Sequence, residues 1–215
     1  MPPIRLNAAL VDIPLIAILR GVKPQEVLEI AQIIYQAGIK VIEIPLNSPE
    51  PYNSIEILQQ AMGDEAVIGA GTVTNIEQVK KIHAVGGRLI VSPNTNIAVI
   101  KRSKQLGLYS APGFYTPSEA FAAIEAGADA LKMFPADTLG TKGLKAIAVV
   151  LPPEMPIFPV GGVNADNMAD FIAVGASGFG LGSGLYKAGM TAEQVGVNAA
   201  AYVKAIQNAK SASKP

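Results

Sequence analysis

The chain contains no cysteine. Disulfides, thiolate metal sites and cysteine nucleophiles are therefore excluded. It has one histidine, His83, so one chain cannot assemble a multi-histidine zinc site. An excess of either charge is also missing, since 17 Lys plus Arg balance 17 Asp plus Glu. Without a long-range field of one sign, neither nucleic acid nor an anionic membrane is expected as a partner. A small anion stays open, because a local phosphate site needs no net charge. No apolar run reaches transmembrane length, and the opening MPPIRLNAAL has too short an apolar stretch for a signal peptide. A soluble cytoplasmic protein is the resulting expectation.

Half of the 215 residues are hydrophobic, while 16% are charged and 6% aromatic. The apolar residues are mostly Ala, Val, Ile and Leu, accompanied by 21 Gly. That mixture suits buried parallel strands covered by small-residue helices. The length allows one sizeable core and is short for two, so residues 1–215 are read as one domain with a core over about 14–205.

A short β-rich apolar run followed by a helical stretch recurs along the chain. The eight runs are Leu15–Leu19, Lys40–Ile44, Ala66–Ala70, Arg88–Val91, Leu108–Ala111, Ala130–Phe134, Ile157–Val160 and Ser177–Leu181. Helices are expected over Pro24–Ala37, Asn75–Val85, Thr116–Ala126 and Asn164–Val174. Each carries a start signal, either a capping Asn or Thr or an early Pro, and stops at a Gly. Ala-Gly or Val-Gly leading into a strand, as at Gly38, Gly86, Gly127 and Gly175, marks the αβ turn of a repeated unit. Eight such units predict a single-domain (β/α)₈ TIM barrel; a doubly wound sheet of five or six strands is the alternative. The terminal KSASKP is expected to fray.

In such a barrel the active site lies at the C-terminal ends of the strands. Lys132 in Ala130–Phe134 stands out there. Residues 130, 132 and 134 share one face of a strand, and either face is buried. A buried lysine is costly unless it is paired or neutral, and a neutral amine can attack a ketone. The competing reading is a stem that snorkels to the strand end. Glu43, isolated in the apolar VIEIP, is either an acid–base partner or half of a structural ion pair. Gly161-Gly162 and Gly182-Ser183-Gly184 follow strands seven and eight, where backbone N–H groups can hold phosphate. The competing reading is plain tight turns. Arg20 at the end of strand one can pair with a carboxylate or phosphate, or lie on the surface. Thr72 can bind a carboxylate or cap the next helix. His83 reads as a solvated bystander, and Asp137–Gly143 as a loop.

The stretches LIAILRG (from Leu15), VIEIPLNSP (from Val41), IGAGTV (from Ile68), ALKMFP (from Ala130), VGGV (from Val160) and GLGS (from Gly180) resemble the keto-hydroxyglutarate/2-keto-3-deoxy-6-phosphogluconate (KHG/KDPG) aldolases, over about Pro14 to Lys204. The resemblance implies a homotrimeric class I aldolase that needs no metal and no cofactor. Its substrate would be a phosphorylated 2-keto-3-deoxy sugar acid, with pyruvate as one product. It further implies Lys132 as the Schiff-base residue and Glu43 as the acid/base working through a water. Thr72 and Pro93 would hold the pyruvate carboxylate, and Gly162, Gly182 and Ser183 the phosphate. Gluconate-type members typically carry Arg four residues after the catalytic Glu and Thr before the strand-seven Gly-Gly. Here Asn47 and Val160 stand at those positions, while Arg20 ends strand one. Both departures resemble the galactonate-type members. A barrel isomerase or epimerase, and a sugar-phosphate-binding protein without catalysis, remain the competing functions.

Overall fold

The computed structural model describes residues 4–212. Strands and helices alternate. The strands are β1 (Leu15–Ile18), β2 (Val41–Pro45), β3 (Val67–Gly71), β4 (Leu89–Val91), β5 (Tyr109–Ala111), β6 (Gly113–Phe114), β7 (Leu131–Met133), β8 (Ile157–Pro159) and β9 (Phe179–Leu181). The helices are α1 (Leu6–Leu10), α2 (Pro24–Gln36), α3 (Pro51–Met62), α4 (Ile76–Ala84), α5 (Ile97–Gln105), α6 (Pro117–Glu125), α7 (Ala136–Ala148), α8 (Met168–Ala173) and α9 (Ala192–Ala212).

Six strands pair in the order β5-β4-β3-β2-β1-β9 and three in the order β6-β7-β8, all parallel. Hydrogen bonds join the two groups at both ends. On one side Lys132 N–H donates to the Pro112 carbonyl (2.9 Å) and Ala130 N–H to that of Ser110 (3.4 Å). On the other, Ser177 N–H donates to the Ile157 carbonyl (2.8 Å), and Val160 bridges to Gly180. The sheet is thus curled and parallel, with its helices outside.

Strand alternation divides the apolar residues into two layers. Ile42, Ile44, Ile68, Ile90, Leu131 and Met133 pack outward against the helices. Ile16, Val41, Val67, Leu89, Val91, Ala130 and Phe158 pack inward on one another, with Leu6 and Ala9 of α1 among them. Each fully buried Leu, Ile or Val contributes roughly 1.5–3 kcal/mol of transfer free energy. Helix α1 has no signal in the sequence; its buried Leu6 and Ala9 join the inner layer, and Arg88 donates to the carbonyls of Ile4 and Gly63 on that side.

Local signals explain most of the element ends. Asn75 and Thr116 cap α4 and α6, with Gln78 and Glu119 completing capping boxes. Gly38, Gly86, Gly127 and Gly175 all adopt positive φ after their helices, as the αβ turn requires. Four expectations need correction. The run Leu108–Ala111 does form a strand, β5, but the eight expected runs leave out a further one among the described residues: beyond Pro112, which has no N–H, pairing passes to a separate β6. The expected loop Asp137–Gly143 lies within α7. Its turn residues show only at Gly140, whose φ of 66° breaks the helical path, while Ala136 N–H and Asp137 N–H are anchored on the carbonyls of Val160 and Gly161. The helix expected from Asn164 starts later, at Met168, because the Asn164 side chain accepts from Asp166 and Asn167 N–H and caps a turn instead. Of the tail expected to fray, Lys210–Ala212 belongs to α9, with Lys210 Nζ donating to the carbonyls of Val11 and Asp12. Residues 213–215 lie outside the described residues. Among the described residues, no helix is long and apolar enough to cross a membrane.

Candidate active site

The alternation that builds the inner layer also fixes the two ionisable groups. Val41 points inward and Ile42 and Ile44 outward, so Glu43 points inward. Ala130 points inward and Leu131 and Met133 outward, so Lys132 does as well. Both sit one step above the packed inner layer, toward the C-terminal ends of their strands. Glu43 is 1% exposed and Lys132 6%. Among the described residues neither forms an ion pair, and Glu43 Oε2 has no hydrogen-bond partner.

Burial therefore dominates their chemistry. It pushes the Glu43 carboxyl up to about 7, against the opposing pull of Lys132 and Arg20. It pulls the Lys132 ammonium below its usual range, more strongly than Glu43 restores it, and Arg20 adds to the lowering. The Lys132 Nζ lies 4.8 Å from the centroid of the Phe134 ring, on the same strand face. The sequence reading of a snorkelling lysine is not what the fold gives: the head group is enclosed with its stem.

Small residues make the room. A Cβ on Gly71 would overlap the Glu43 carboxylate, so the bare backbone of β3 seats that side chain. Gly113, the register partner of Lys132, lies against the backbone of Pro93 and Asn94 in the same way. Next to Gly71, Thr72 holds φ of 59°, a left-handed conformation that a β-branched residue adopts only under constraint. The cap of α4 is Asn75, so Thr72 does not serve as one.

A cavity of about 710 Å³ opens beside Lys132. Of the residues singled out in the sequence, Lys132, Arg20, Gly162, Gly182 and Ser183 line it. Glu43, Thr72 and Pro93 do not; Glu43 lies behind the lysine, and the other two follow β3 and β4. Arg20 is exposed, and its Nη1 donates to Asn47 Oδ1. Gly161 and Gly162 hold φ of 97° and 71° in the turn after β8. Three lining residues escaped the sequence reading: Lys187 in the loop after β9, and Tyr186 and Tyr202. The two tyrosines are nearly buried. Three basic side chains, Arg20, Lys132 and Lys187, and no carboxylate line the cavity among the described residues. No group of three or more His, Cys, Asp and Glu side chains suited to a metal ion occurs among them, and His83 is exposed on α4.

A parallel α/β fold with an enclosed lysine–carboxylate couple at its strand ends, opening on a cationic cavity, defines an enzyme site rather than a binding surface. The sequence profile of the KDPG and KHG aldolase family matches residues 6–200, and the chain belongs to that family of carbon–carbon lyases. It is 47% identical over 197 residues to the 2-dehydro-3-deoxy-6-phosphogalactonate aldolase of Escherichia coli K12, covering 92% of this chain and 96% of that one. A solved structure described as native KDPGal superposes with a TM-score of 0.92 at 44% identity, covering 98% of this chain and 100% of its own. The KDPG aldolase of Legionella pneumophila, with pyruvate captured as a covalent carbinolamine, superposes with a TM-score of 0.80 at 25% identity, covering 96% of this chain and 98% of its own.

Two outcomes follow from the packing. Gly71→Ala should displace the Glu43 carboxylate and lower kcat/KM for aldol cleavage by roughly 10²-fold, the size of effect of a misplaced reacting group; an unchanged rate in that variant would show the seat to be unimportant. The second outcome concerns stability. Because the folded Glu43 carboxyl lies above its unfolded value, the native state holds an extra proton between about 4.5 and 7. Stability from this group is present below that window and is lost as pH rises through it. Glu43→Gln should therefore gain melting temperature relative to the parent at pH 8 and lose that advantage at pH 4, as read by calorimetry.

Proposed function

We propose that this chain cleaves 2-keto-3-deoxy-6-phosphogalactonate to pyruvate and glyceraldehyde 3-phosphate through a Schiff base on Lys132. The observation that carries this reading is the enclosed, unpaired amine of Lys132 facing the cavity, with Glu43 behind it. Desolvation favours the neutral amine, which is the nucleophilic form. The amine attacks the C2 ketone, and loss of water gives an iminium that serves as electron sink. Glu43, directly or through a water, takes the proton of the C4 hydroxyl. The C3–C4 bond then breaks; its electron pair moves into the iminium to form an enamine, and the aldehyde leaves. Protonation of the enamine at C3 and hydrolysis of the imine release pyruvate and restore the amine. The iminium itself supplies the electron sink, so the chemistry calls on no metal or cofactor.

The other assignments belong to the same proposal. Thr72 and Pro93 hold the pyruvate carboxylate from the ends of β3 and β4. Gly162, Gly182 and Ser183 hold the phosphate, and Arg20 supplies a cation at the mouth. Binding of the remote phosphate contributes orientation at the reacting bond. The two hydrogen-bonded seams support closure of the sheet into one (β/α)₈ TIM-barrel domain over residues 1–215. The family resemblance supports a cytoplasmic homotrimer, which sedimentation measures directly. The galactonate preference rests on Asn47 and Val160 and on the similarity to the E. coli galactonate enzyme. A comparison with 2-keto-3-deoxy-6-phosphogluconate and 4-hydroxy-2-oxoglutarate tests it, and faster cleavage of either would reassign the substrate.

Borohydride reduction in the presence of pyruvate, followed by peptide mass mapping, should place a reduced pyruvyl adduct on Lys132. Lys132→Met should give neither adduct nor turnover while melting normally. Absence of an adduct in folded parent protein would move the assignment to a phosphate-binding isomerase or a non-catalytic barrel. Glu43→Gln should slow turnover by roughly 10² to 10⁴. In the parent, kcat/KM should rise with pH through about 7 as Glu43 becomes a base; a flat profile there would reject Glu43 as that base.

A further inference from the structure

Tyr202 projects from α9, the helix that packs against both α2 and α8. It is 6% exposed, and it lines the same cavity as Lys132. Its hydroxyl meets both turns at the anion end of that cavity. It donates to the carbonyl oxygen of Val163, the residue after Gly161-Gly162, at 3.4 Å. It also fills the space that a Cβ on Gly184, next to Ser183, would need, with ring Cζ 3.3 Å from that position. Gly184 is not among the glycines at positive φ, so its backbone would accept an alanine; the tyrosine hydroxyl is what crowds it. One oxygen atom carried by a third element thus bonds to the turn after β8 and packs against the turn after β9.

We infer that Tyr202 is a positioning residue for the substrate phosphate, its hydroxyl tying the β8 and β9 turns so that their backbone N–H groups converge on a single anion. The inference rests on the aldolase reading above for the identity of the anion, but not for the tie itself. A tie of this kind explains why a tyrosine and not a phenylalanine fits here. The ring carbons also border Gly184, but only the oxygen bonds to the β8 turn while it packs against the β9 turn. Burial raises the hydroxyl above its ordinary range, so it stays protonated and a donor at neutral pH. The 3.4 Å separation is long for an O–H···O bond. It leaves the turns a small adjustment when an anion arrives.

The test uses the whole protein, with inorganic phosphate as the probe of the anion site. In Tyr202→Phe, the Ki of inorganic phosphate and the KM for the phosphorylated keto acid should rise together, by about two- to tenfold, the range of one neutral hydrogen bond. The KM for the same keto acid without its phosphate should not follow. A purely structural role would shift both substrates alike, and that result would overturn the inference, as would an unchanged Ki. Gly184→Ala should weaken phosphate by itself, through collision with the hydroxyl. Combined with Tyr202→Phe, which removes the colliding atom, its effect should shrink; strictly additive losses would show that the two sites do not act through that contact. Calorimetric binding of inorganic phosphate to parent and variant reads the tie independently of turnover. A failed pyruvate adduct on the parent protein would therefore reject the aldolase reading while leaving the tie decided by phosphate binding.

Discussion

The structure depends on holding an amine and a carboxyl beside one another inside an apolar layer without letting them pair. In water each group would be charged. Enclosed among Val, Leu, Phe and Gly, each is driven toward its neutral form, and the attraction between the two charges opposes but does not reverse that drive. That is the condition a Schiff-base aldolase requires near neutrality. The amine must be free to attack, and the carboxyl must alternately accept and return a proton. A salt bridge would satisfy both groups and abolish the nucleophile.

The glycines of the inner face follow from that condition, and their missing side chains are put to different uses. The room at Gly69 is taken by Leu89 and the room at Gly180 by Val160. The room at Gly71 is taken by the Glu43 carboxylate, and that at Gly113 by the Pro93 backbone. Gly182 alone of these leaves open space, and it borders the cavity. The inner face therefore grades from close packing at the α1 end, through a seated carboxylate, to the open cavity. The same glycine-for-side-chain exchange stabilises the core, places the acid–base group and makes the pocket. The strained backbone of Thr72 follows directly on Gly71, beside the seated carboxylate.

Much of this could be read in the sequence because charge in an apolar strand is anomalous. Lys132 and Glu43 announce themselves, and the period-2 rule fixes which way both point. The Gly-terminated helices and their capping residues are local signals and survive into the structure at Asn75 and Thr116. What the sequence hid depends on distant partners. Pro112 divides the fifth strand because the strand must hand its pairing to β7, and nothing near it in sequence says so. Gly140 and its neighbours look like a loop, and the backbone does leave the helical path at Gly140; the helical segments on either side, the first with its leading N–H groups held by Val160 and Gly161, are what the sequence hid. Tyr202 sits in a helix whose pattern reports only burial, so its hydroxyl, aimed at two remote turns, carries no local sign.

The same distinction bears on the two epimers. On the proposed reading, the imine fixes one end of the substrate and the phosphate turns fix the other. Inversion at C4 then exchanges the places of a hydroxyl and a hydrogen, and only groups along the middle of the cavity sense the exchange. Glu43 must reach the hydroxyl in whichever form reacts. Val160, 8% exposed and seated over Gly180, offers that middle region no donor or acceptor. A hydrogen presented to Val160 loses nothing, whereas a hydroxyl there would be stripped of water without a partner, at a cost of about 1–3 kcal/mol. On the same reading, the cation at the mouth comes from Arg20, just beyond β1. Asn47 orients it through its side-chain oxygen. Selectivity in this arrangement arises from an apolar wall that penalises the wrong epimer, with the charge at the mouth common to both.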